Sequence, residues 1–317
     1  MKPSMKVFYA ADIHGSEQVF RKFLNAAAFY GADAAIFGGD LTGKALVPLV
    51  EVRPGTFEGL IRGETREVAV GSELEAVETE IRSSGSYPYR TTPDEVRQMS
   101  SDPSTLQVVF SNVMRSAAEA WVAMADQRLR AAGIPALMMP GNDDEPAVKA
   151  ILAQGDWIVD AEGKAENLLG YRVLSFGYST TTPWHSPREV TEEEMNKALR
   201  ALVQKGDPSM PTIFNIHQPP VNSGLDLAYD MTKDLRVRMA GGQAMLTPVG
   251  SEAVRSLIEE HQPVLSLHGH IHESRATVKI GRTVAINPGS AYTEGVLQGV
   301  LVSLSGDRVS GFQLVTG

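Results

Sequence analysis

Two stretches decide the fold: Val7-Phe8-Tyr9-Ala10-Ala11-Asp12-Ile13-His14-Gly15 and Ala34-Ala35-Ile36-Phe37-Gly38-Gly39-Asp40. Each is a short apolar run that breaks into a loop carrying an acid. Short runs without polar alternation fit strands buried on both faces. Between them Ser16 can cap a helix on which Val19, Phe20, Phe23, Leu24 and Ala27 share one face. Strand, helix, strand at this spacing reads as a βαβ unit of a parallel sheet.

The same punctuation recurs downstream. A third strand at 135–139 runs into Pro140-Gly141-Asn142-Asp143-Asp144. A fourth at 212–216 ends at His217, and a fifth at 264–267 ends at His268. A long helix is expected over 106–132, with Val109, Val113, Ala117, Trp121 and Met124 as its apolar stripe. A hairpin is expected near 167–176 and a charged helix over 192–205. The tail, 275–314, alternates apolar residues around turns at Gly281-Arg282 and Gly306-Asp307, as antiparallel strands do.

From 44 to 105 the pattern is broken by Gly, Pro, Ser and charged residues. A hairpin fits 56–70 and a short helix 73–82, while 83–103 reads as loop. Structureless loops of that length are uncommon unless they have a function or are disordered. The segment is therefore expected to be an insertion over or beside one end of the sheet. The whole, 1–317, reads as a single α/β domain: a mixed β-sandwich flanked by helices, with an insertion near 44–105.

Bulk properties narrow the chemistry. A chain of 317 residues, 43% hydrophobic and 21% charged, can bury a full core without staples. The net charge of -9, with no long basic run, argues against extended nucleic-acid binding, which relies on clustered Lys and Arg. The absence of Cys removes disulfides, zinc-thiolate sites and thiol nucleophiles. The basic start at residues 1–6 lacks the apolar region of a secretory signal, and no stretch reaches the ~20 apolar residues of a membrane span. A cytoplasmic protein is expected.

Ligand-type residues fall in a telling place. Asp12 and His14 follow the first strand, Asp40 the second, Asn142 the third, His217 the fourth, and His270 and His272 the fifth. Loops at the carboxyl ends of parallel strands converge on one crevice. Of the 7 His in the chain, five (His14, His217, His268, His270 and His272) sit in these loops, which scatter would rarely produce.

Each loop alone has a plainer reading. Asp12 to Gly15 could be a helix-capping turn, and Gly141 to Pro146 a polar turn. His217 is equally compatible with a core histidine. Residues 38–44 match the phosphate-loop spacing GxxxxGK, but Ala45 stands where Ser or Thr would hold magnesium, and Asp40 would confront the phosphate. His268-Gly269-His270-Ile271-His272 is hardest to explain by packing, because alternating His around a Gly suits chelation. Together the plainer readings require five coincidences.

In this order, Asp-x-His, Gly-Asp, Gly-Asn-x-Asp, His and Gly-His-x-His resemble the calcineurin-like metallophosphoesterases, over positions 12 to 272. Residues 38–43 (Gly-Gly-Asp-Leu-Thr-Gly) and 287–290 (Asn-Pro-Gly-Ser) are similar to the bacterial and archaeal branch related to cyclic-nucleotide phosphodiesterases. The resemblance implies a helix-flanked β-sandwich and two divalent metal ions, drawn from Mn, Fe, Zn, Co or Ni. One would take Asp12, His14 and His272, the other Asn142, His217 and His270, with Asp40 bridging. Asn142 and His217 are also expected to contact substrate. It further implies attack on a phosphate ester by a metal-bridging hydroxide without a covalent enzyme intermediate. His268 is left to orient neighbours or pack.

One departure stands out. Many members of that family carry His after the motif Asn, as a candidate acid for the leaving group; here the residue is Asp143. A carboxylate near two cations is a poor proton donor at neutral pH. The enzyme is therefore expected to favour good leaving groups or to take its proton elsewhere, with His185 as a candidate. Tyr87, Tyr89, Arg90 and the Trp184 loop could border the pocket or simply cover apolar surface. The expected reaction is hydrolysis of a small phosphodiester; a phosphomonoesterase and a non-catalytic metal-binding scaffold are the alternatives.

Overall fold

The computed structural model describes residues 4–232 and 234–317. The chain opens as β1 (Ser4–Ala10), α1 (Glu17–Phe29) and β2 (Ala34–Phe37). Ser16 Oγ accepts from the Val19 amide at the start of α1, the expected cap. β1 and β2 pair in parallel, Val7 opposite Ala34 through Ala10 opposite Phe37. Both faces are buried: Val7, Tyr9 and Ile36 point one way, while Phe8, Ala10 and Phe37 point the other. That is why the runs read as continuously apolar rather than alternating.

The segment after β2 forms β3 (Ala45–Arg53), β4 (Thr56–Ile61), β5 (Glu64–Ala69), α2 (Ser72–Ser83), β6 (Ser86–Thr91) and α3 (Pro93–Ser101). It builds a sheet of its own, in the order β5-β4-β3-β6, over a small core of Leu49, Phe57, Ile61, Val68, Leu74, Val77 and Ile81. Three of these elements, β3, β6 and α3, lie outside the sequence expectation, which named no element over 45–53 and had loop over 83–103. β6 contains Pro88, a residue that argues against a central strand, but β6 lies at the sheet edge, where Pro is tolerated. α3 begins with a capping box, Thr92 with Glu95, and Pro93 in its first turn.

Then come α4 (Pro103–Ala132), β7 (Ala136–Met138), α5 (Ala147–Leu152) and β8 (Ile158–Asp160). Asp102 caps α4 and Gly133, at φ 68°, ends it. Trp121 of α4 stacks on Phe20 of α1, with ring centroids 4.8 Å apart. Cutting Phe20 back to alanine would cost about 3–5 kcal/mol.

The second half runs β9 (Ala165–Leu168), β10 (Tyr171–Phe176), the short β11 (Ser179–Thr180) and β12 (Glu189–Val190), α6 (Glu192–Leu202) and β13 (Thr212–Ile216). Four short strands follow: β14 (Leu227–Tyr229), β15 (Met239–Ala240), β16 (Gln243–Ala244) and β17 (Leu246–Pro248). After them come α7 (Glu252–His261) and β18 (Leu265–Leu267). The tail supplies β19 (Ala276–Ile280), β20 (Thr283–Asn287), a 3-10 turn at Tyr292–Glu294, β21 (Gln298–Ser305) and β22 (Arg308–Thr316).

Two six-stranded sheets result, β22-β21-β1-β2-β7-β8 and β19-β20-β18-β13-β10-β9. In the first, β1, β2, β7 and β8 are parallel; in the second, β10, β13, β18 and β20 are. Tyr9, Ile36, Val173, Ile213, Leu267, Ile286 and Val302 belong to the core between them. α1, α4 and α5 cover the outer face of the first sheet, and α6 and α7 that of the second. The result is a four-layer sandwich, helix, sheet, sheet, helix, with the ligand-type loops at one end.

Candidate metal centre

β1, β2 and β7 of the first sheet deliver Asp12, His14, Asp40 and Asn142. β13 and β18 of the second deliver His217, His270 and His272. The site thus straddles the end of the sandwich. Asp12, His14, Asp40, Asn142 and His217 are buried, and His270 and His272 are half-buried at the mouth. Asp12, His14, Asp40 and His270 have φ of 56°, 40°, 57° and 67°. Non-glycine residues in this left-handed region carry strain that clusters at functional sites.

The donor atoms converge. Asp12, His14 and His272 form one tight group and Asp12, Asp40 and His217 another. His14 Nε2 lies 2.9 Å from His272 Nε2. Asn142 Oδ1 lies 3.0 Å from His217 Nε2 and 2.7 Å from His270 Nδ1. Asp40 Oδ2 sits between the two sets, 3.5 Å from His14 Nε2 and 3.4 Å from His217 Nε2. A third group joins His14 and Asp40 to Asp143, a residue outside the expected ligand set.

These contacts bear on whether cations fit. Two imidazole nitrogens facing each other, and a ring nitrogen facing an amide oxygen, repel unless a proton or a cation lies between them. His217 Nδ1 is 2.8 Å from the Gly38 carbonyl and must donate to it, which turns the Nε2 lone pair of the neutral ring toward the site. Asn142 Nδ2 donates to Ser186 Oγ at 2.9 Å, leaving Oδ1 to face the histidines. Carboxylate, amide oxygen and imidazole are a donor set suited to first-row divalent metals. The residues fit such ions.

Electrostatics agrees. Burial and the neighbouring His272 hold His14 well below the usual imidazole range, and burial brings His270 down to about 3. A ring held low favours its neutral form, which has a lone pair to offer a cation. Burial would raise Asp12, yet its histidine neighbours hold it below the ordinary carboxylate range. For His217 burial works downward, but Asp40 and Asp12 outweigh it and pull the ring upward. Asp40 is raised by burial against the pull of His217.

The loops are held by their own residues. Asp144, fully buried, accepts from the amides of Leu41, Thr42 and Gly141 and from the Thr42 hydroxyl, so it ties the Asp40 loop to the Asn142 loop. Asn287 Nδ2 reaches the carbonyls of Leu225, Gly269 and Ile271, and Ser290 Oγ donates to the Asp12 carbonyl at 2.6 Å. Gly141 and Gly269 permit close approach: a Cβ would lie 2.1 Å from Asp40 Oδ1 at the first and 2.3 Å from Asp12 Oδ2 at the second. His268 is buried, with Nε2 2.8 Å from Ser266 Oγ and Nδ1 2.9 Å from the Ile216 carbonyl, and takes no part in the donor cluster.

Asp143 lies at the edge of the site. Its amide donates to Asp40 Oδ1 at 2.9 Å, and its carboxylate faces His14 Nδ1 at 3.8 Å and pairs with Lys44. Burial pushes Asp143 upward, but His14 and Lys44 hold it below the usual carboxylate range. His185 is not brought to the cluster: it is exposed, and its neighbours Trp184 and Ser186, not His185 itself, line the cleft beside the site. Tyr87 turns inward, where its hydroxyl accepts from the Gly43 amide, and Arg90 pairs with Glu78, so neither lines that cleft.

Four residues escaped the sequence reading. Tyr292 packs its ring 4.8 Å from His14 and 5.8 Å from His272. Ser186 orients Asn142, and the Arg188 amide donates to the Asn142 carbonyl while its guanidinium pairs with buried Glu162 at 3.1 Å. Lys44 was set aside with the phosphate-loop pattern. Only Lys44 carried a usable signal, its position four residues after Asp40.

The architecture is the helix-flanked, mixed β-sandwich expected from the sequence, with the donor loops gathered at one end. One crystal structure aligns along 98% of this chain and 98% of its own, at TM-score 0.55 and 12% identity, a likeness of fold. TT1561 of Thermus thermophilus covers 95% of this chain and 99% of its own at TM-score 0.49 and 16% identity. Yfce, a phosphoesterase from E. coli, covers 98% of both chains at TM-score 0.33 and 11% identity. These two superpose too loosely to carry an argument. In sequence, the uncharacterized protein MJ1162 of Methanocaldococcus jannaschii is 32% identical over 155 residues, 48% of this chain and 62% of that protein. The chain thus spans less than two thirds of that relative. No family model matches the chain. Among the described residues, no helix is long and apolar enough to cross a membrane.

Proposed function

We propose that this protein is a metal-dependent phosphoesterase that hydrolyses a small phosphodiester. The observation that carries the reading is the pair of donor groups meeting across Asp40, with His14 Nε2 at 3.5 Å and His217 Nε2 at 3.4 Å from the same carboxylate oxygen. Asp12, His14 and His272 would hold one ion, and Asn142, His217 and His270 the other, with Asp40 shared. Bound divalent ions supply positive charge that polarises a phosphoryl oxygen and activates water.

The remaining chemistry belongs to the chain. Asp144 and Asn287 hold three ligand loops rigid, so the donors are positioned before substrate arrives. His217 is locked in one tautomer by Gly38. Tyr292 packs its ring against His14 and His272. The cleft beside the cluster, about 430 Å³, is lined by Thr180, Trp184, Gln218 and Tyr229 among others, and offers room for a small organic group on the ester. Asp143, held as an anion by Lys44, does not protonate a leaving group, so aryl and other good leaving groups are favoured. The diester preference rests on the resemblance of residues 38–43 and 287–290 to the branch related to cyclic-nucleotide phosphodiesterases. We also assign the 44–105 insertion a place beside the active site.

Steady-state rates of metal-loaded protein on a bis-aryl phosphodiester and on the matching aryl phosphomonoester test this reading. A higher kcat/KM on the diester supports it, and the reverse ratio replaces it with a phosphomonoesterase. Bound metal with no turnover of either ester would leave a binding scaffold of the same fold.

A further inference from the structure

We propose that Lys44 contacts the phosphoryl group of the substrate, that the insertion exists in part to hold it there, and that Asp143 is the counterion that makes the site read substrate charge. This rests on the phosphoesterase reading above. Lys44 lines the cleft together with Asn142, His270 and His272, and among the described residues lining that cleft it is the sole Lys or Arg. Its ammonium pairs with Asp143 Oδ2, which is itself 3.8 Å from His14 Nδ1. A compact ammonium on a flexible stem suits a single phosphate oxygen, and a half-exposed one is free to swing from carboxylate to ligand.

The backbone on both sides of Lys44 is fixed. Gly43 donates its amide to Tyr87 Oη at 2.8 Å, and a Cβ on Gly43 would lie 2.3 Å from the Gly85 carbonyl oxygen. From Ala45 onward the chain is β3, paired in parallel with β6, Ala45 opposite Ser86. Ser16 Oγ ties the same region to the α1 cap by donating to the Ser83 carbonyl at 2.6 Å. A loop carrying Asp40 thus enters the insertion sheet within a few residues, and Lys44 stands at the junction.

Asp143 gives the pair its sign. Its carboxylate neutralises Lys44 and repels an incoming phosphate, and a dianion feels that repulsion more than a monoanion. The pair therefore disfavours phosphomonoesters and inorganic phosphate relative to diesters. An ion pair that served only to clamp the loop would behave differently, because losing either partner would break the same contact.

The test is calorimetric titration of inorganic phosphate into manganese-loaded wild type, Lys44→Met, Lys44→Arg and Asp143→Asn, with metal content measured for each. The expected result is phosphate binding about tenfold weaker in Lys44→Met, largely restored in Lys44→Arg, and several-fold tighter in Asp143→Asn. Shifts of Lys44→Met and Asp143→Asn in the same direction, no shift in either, or no phosphate binding by wild type would overturn the proposal. Ester hydrolysis is read separately. Hydrolysis by wild type with unshifted phosphate affinities removes the role of Lys44 and keeps the phosphoesterase; opposite shifts without hydrolysis keep the phosphate site and remove the enzyme.

Discussion

His14 Nε2 and His272 Nε2 lie 2.9 Å apart although 258 residues separate them in the chain. Neither sheet alone could make that contact. His14 follows a strand of the first sheet and His272 a strand of the second, so the packing of the sandwich is itself what assembles the site. Metal that bridges such groups should stabilise the folded state. At a free metal concentration of 100 times Kd the gain is about 2.7 kcal/mol per site. Thermal unfolding with manganese should therefore show a Tm several degrees above that of chelator-treated protein. An unchanged Tm would mean that the cluster does not bind the ion.

Gly269→Ala tests the same cluster from the backbone. The added methyl would sit 2.3 Å from Asp12 Oδ2 and 2.7 Å from Ala11 Cβ, so Asp12 must move. Manganese affinity should fall by about tenfold or more, as misplaced ligands require. Equilibrium dialysis reads this directly, and affinity within twofold of wild type would contradict the geometry.

Asp144 has no expected part in metal binding, yet its replacement should be costly. Asp144→Ala leaves three buried amides and one hydroxyl without their acceptor. The loss should reach about 3 kcal/mol or more, which for a chain of this size lowers Tm by about 4–5 °C. A Tm within a degree of wild type would show that these loops hold together without it.

Asp126 should impart a pH dependence. Its carboxylate accepts from the amides of Asp156, Trp157 and Ile158 and pins the start of β8 to α4. Partial burial raises its pKa, but the three amides outweigh this and hold it below the ordinary carboxylate value. A depressed pKa stabilises the fold above the unfolded-state value and loses that contribution as pH falls through the folded one. Asp126→Asn should thus be less stable than wild type at neutral pH, with the gap closing as acid titrates Asp126. A gap that is constant between neutral and strongly acid pH would refute the assignment.

Asp143→His addresses the leaving group. Introducing an imidazole where the anionic carboxylate stands should raise turnover of esters with poor leaving groups, by roughly the 10²-fold lower bound for general acid catalysis if geometry allows. Aryl esters should change little. Equal effects on alkyl and aryl esters would show that Asp143 does not set the leaving-group range.

The strand-end pattern was legible because every ligand follows a buried strand by one to five residues, and Gly39 and Gly141 directly precede Asp40 and Asn142. The paired sheets were legible for the same reason: double burial writes continuous apolar runs such as 7–10 and 34–37. The insertion was harder. β6 carries Pro88, tolerated at the sheet edge, and β3 carries Pro48, which lies before the stretch that pairs with β4; both breakers argue against strands until that pairing is known. α3 was signalled by Thr92-Pro93-Asp94-Glu95, but its residues bury little beyond Met99, so no apolar period announces it. Tyr292, Ser186 and Arg188 reach the site from distant loops, and nothing local to them marks that contact. His185, the candidate proton donor, is exposed, while buried Arg188 of the same loop donates its amide to the Asn142 carbonyl.

The most direct test is hydrolysis of a bis-aryl phosphodiester by metal-free protein titrated with manganese, beside Asp40→Ala, which removes the carboxylate standing between the two donor groups. Activity that rises with manganese and is lost in Asp40→Ala is the predicted result. Activity in metal-free protein, or undiminished activity in Asp40→Ala, would contradict it.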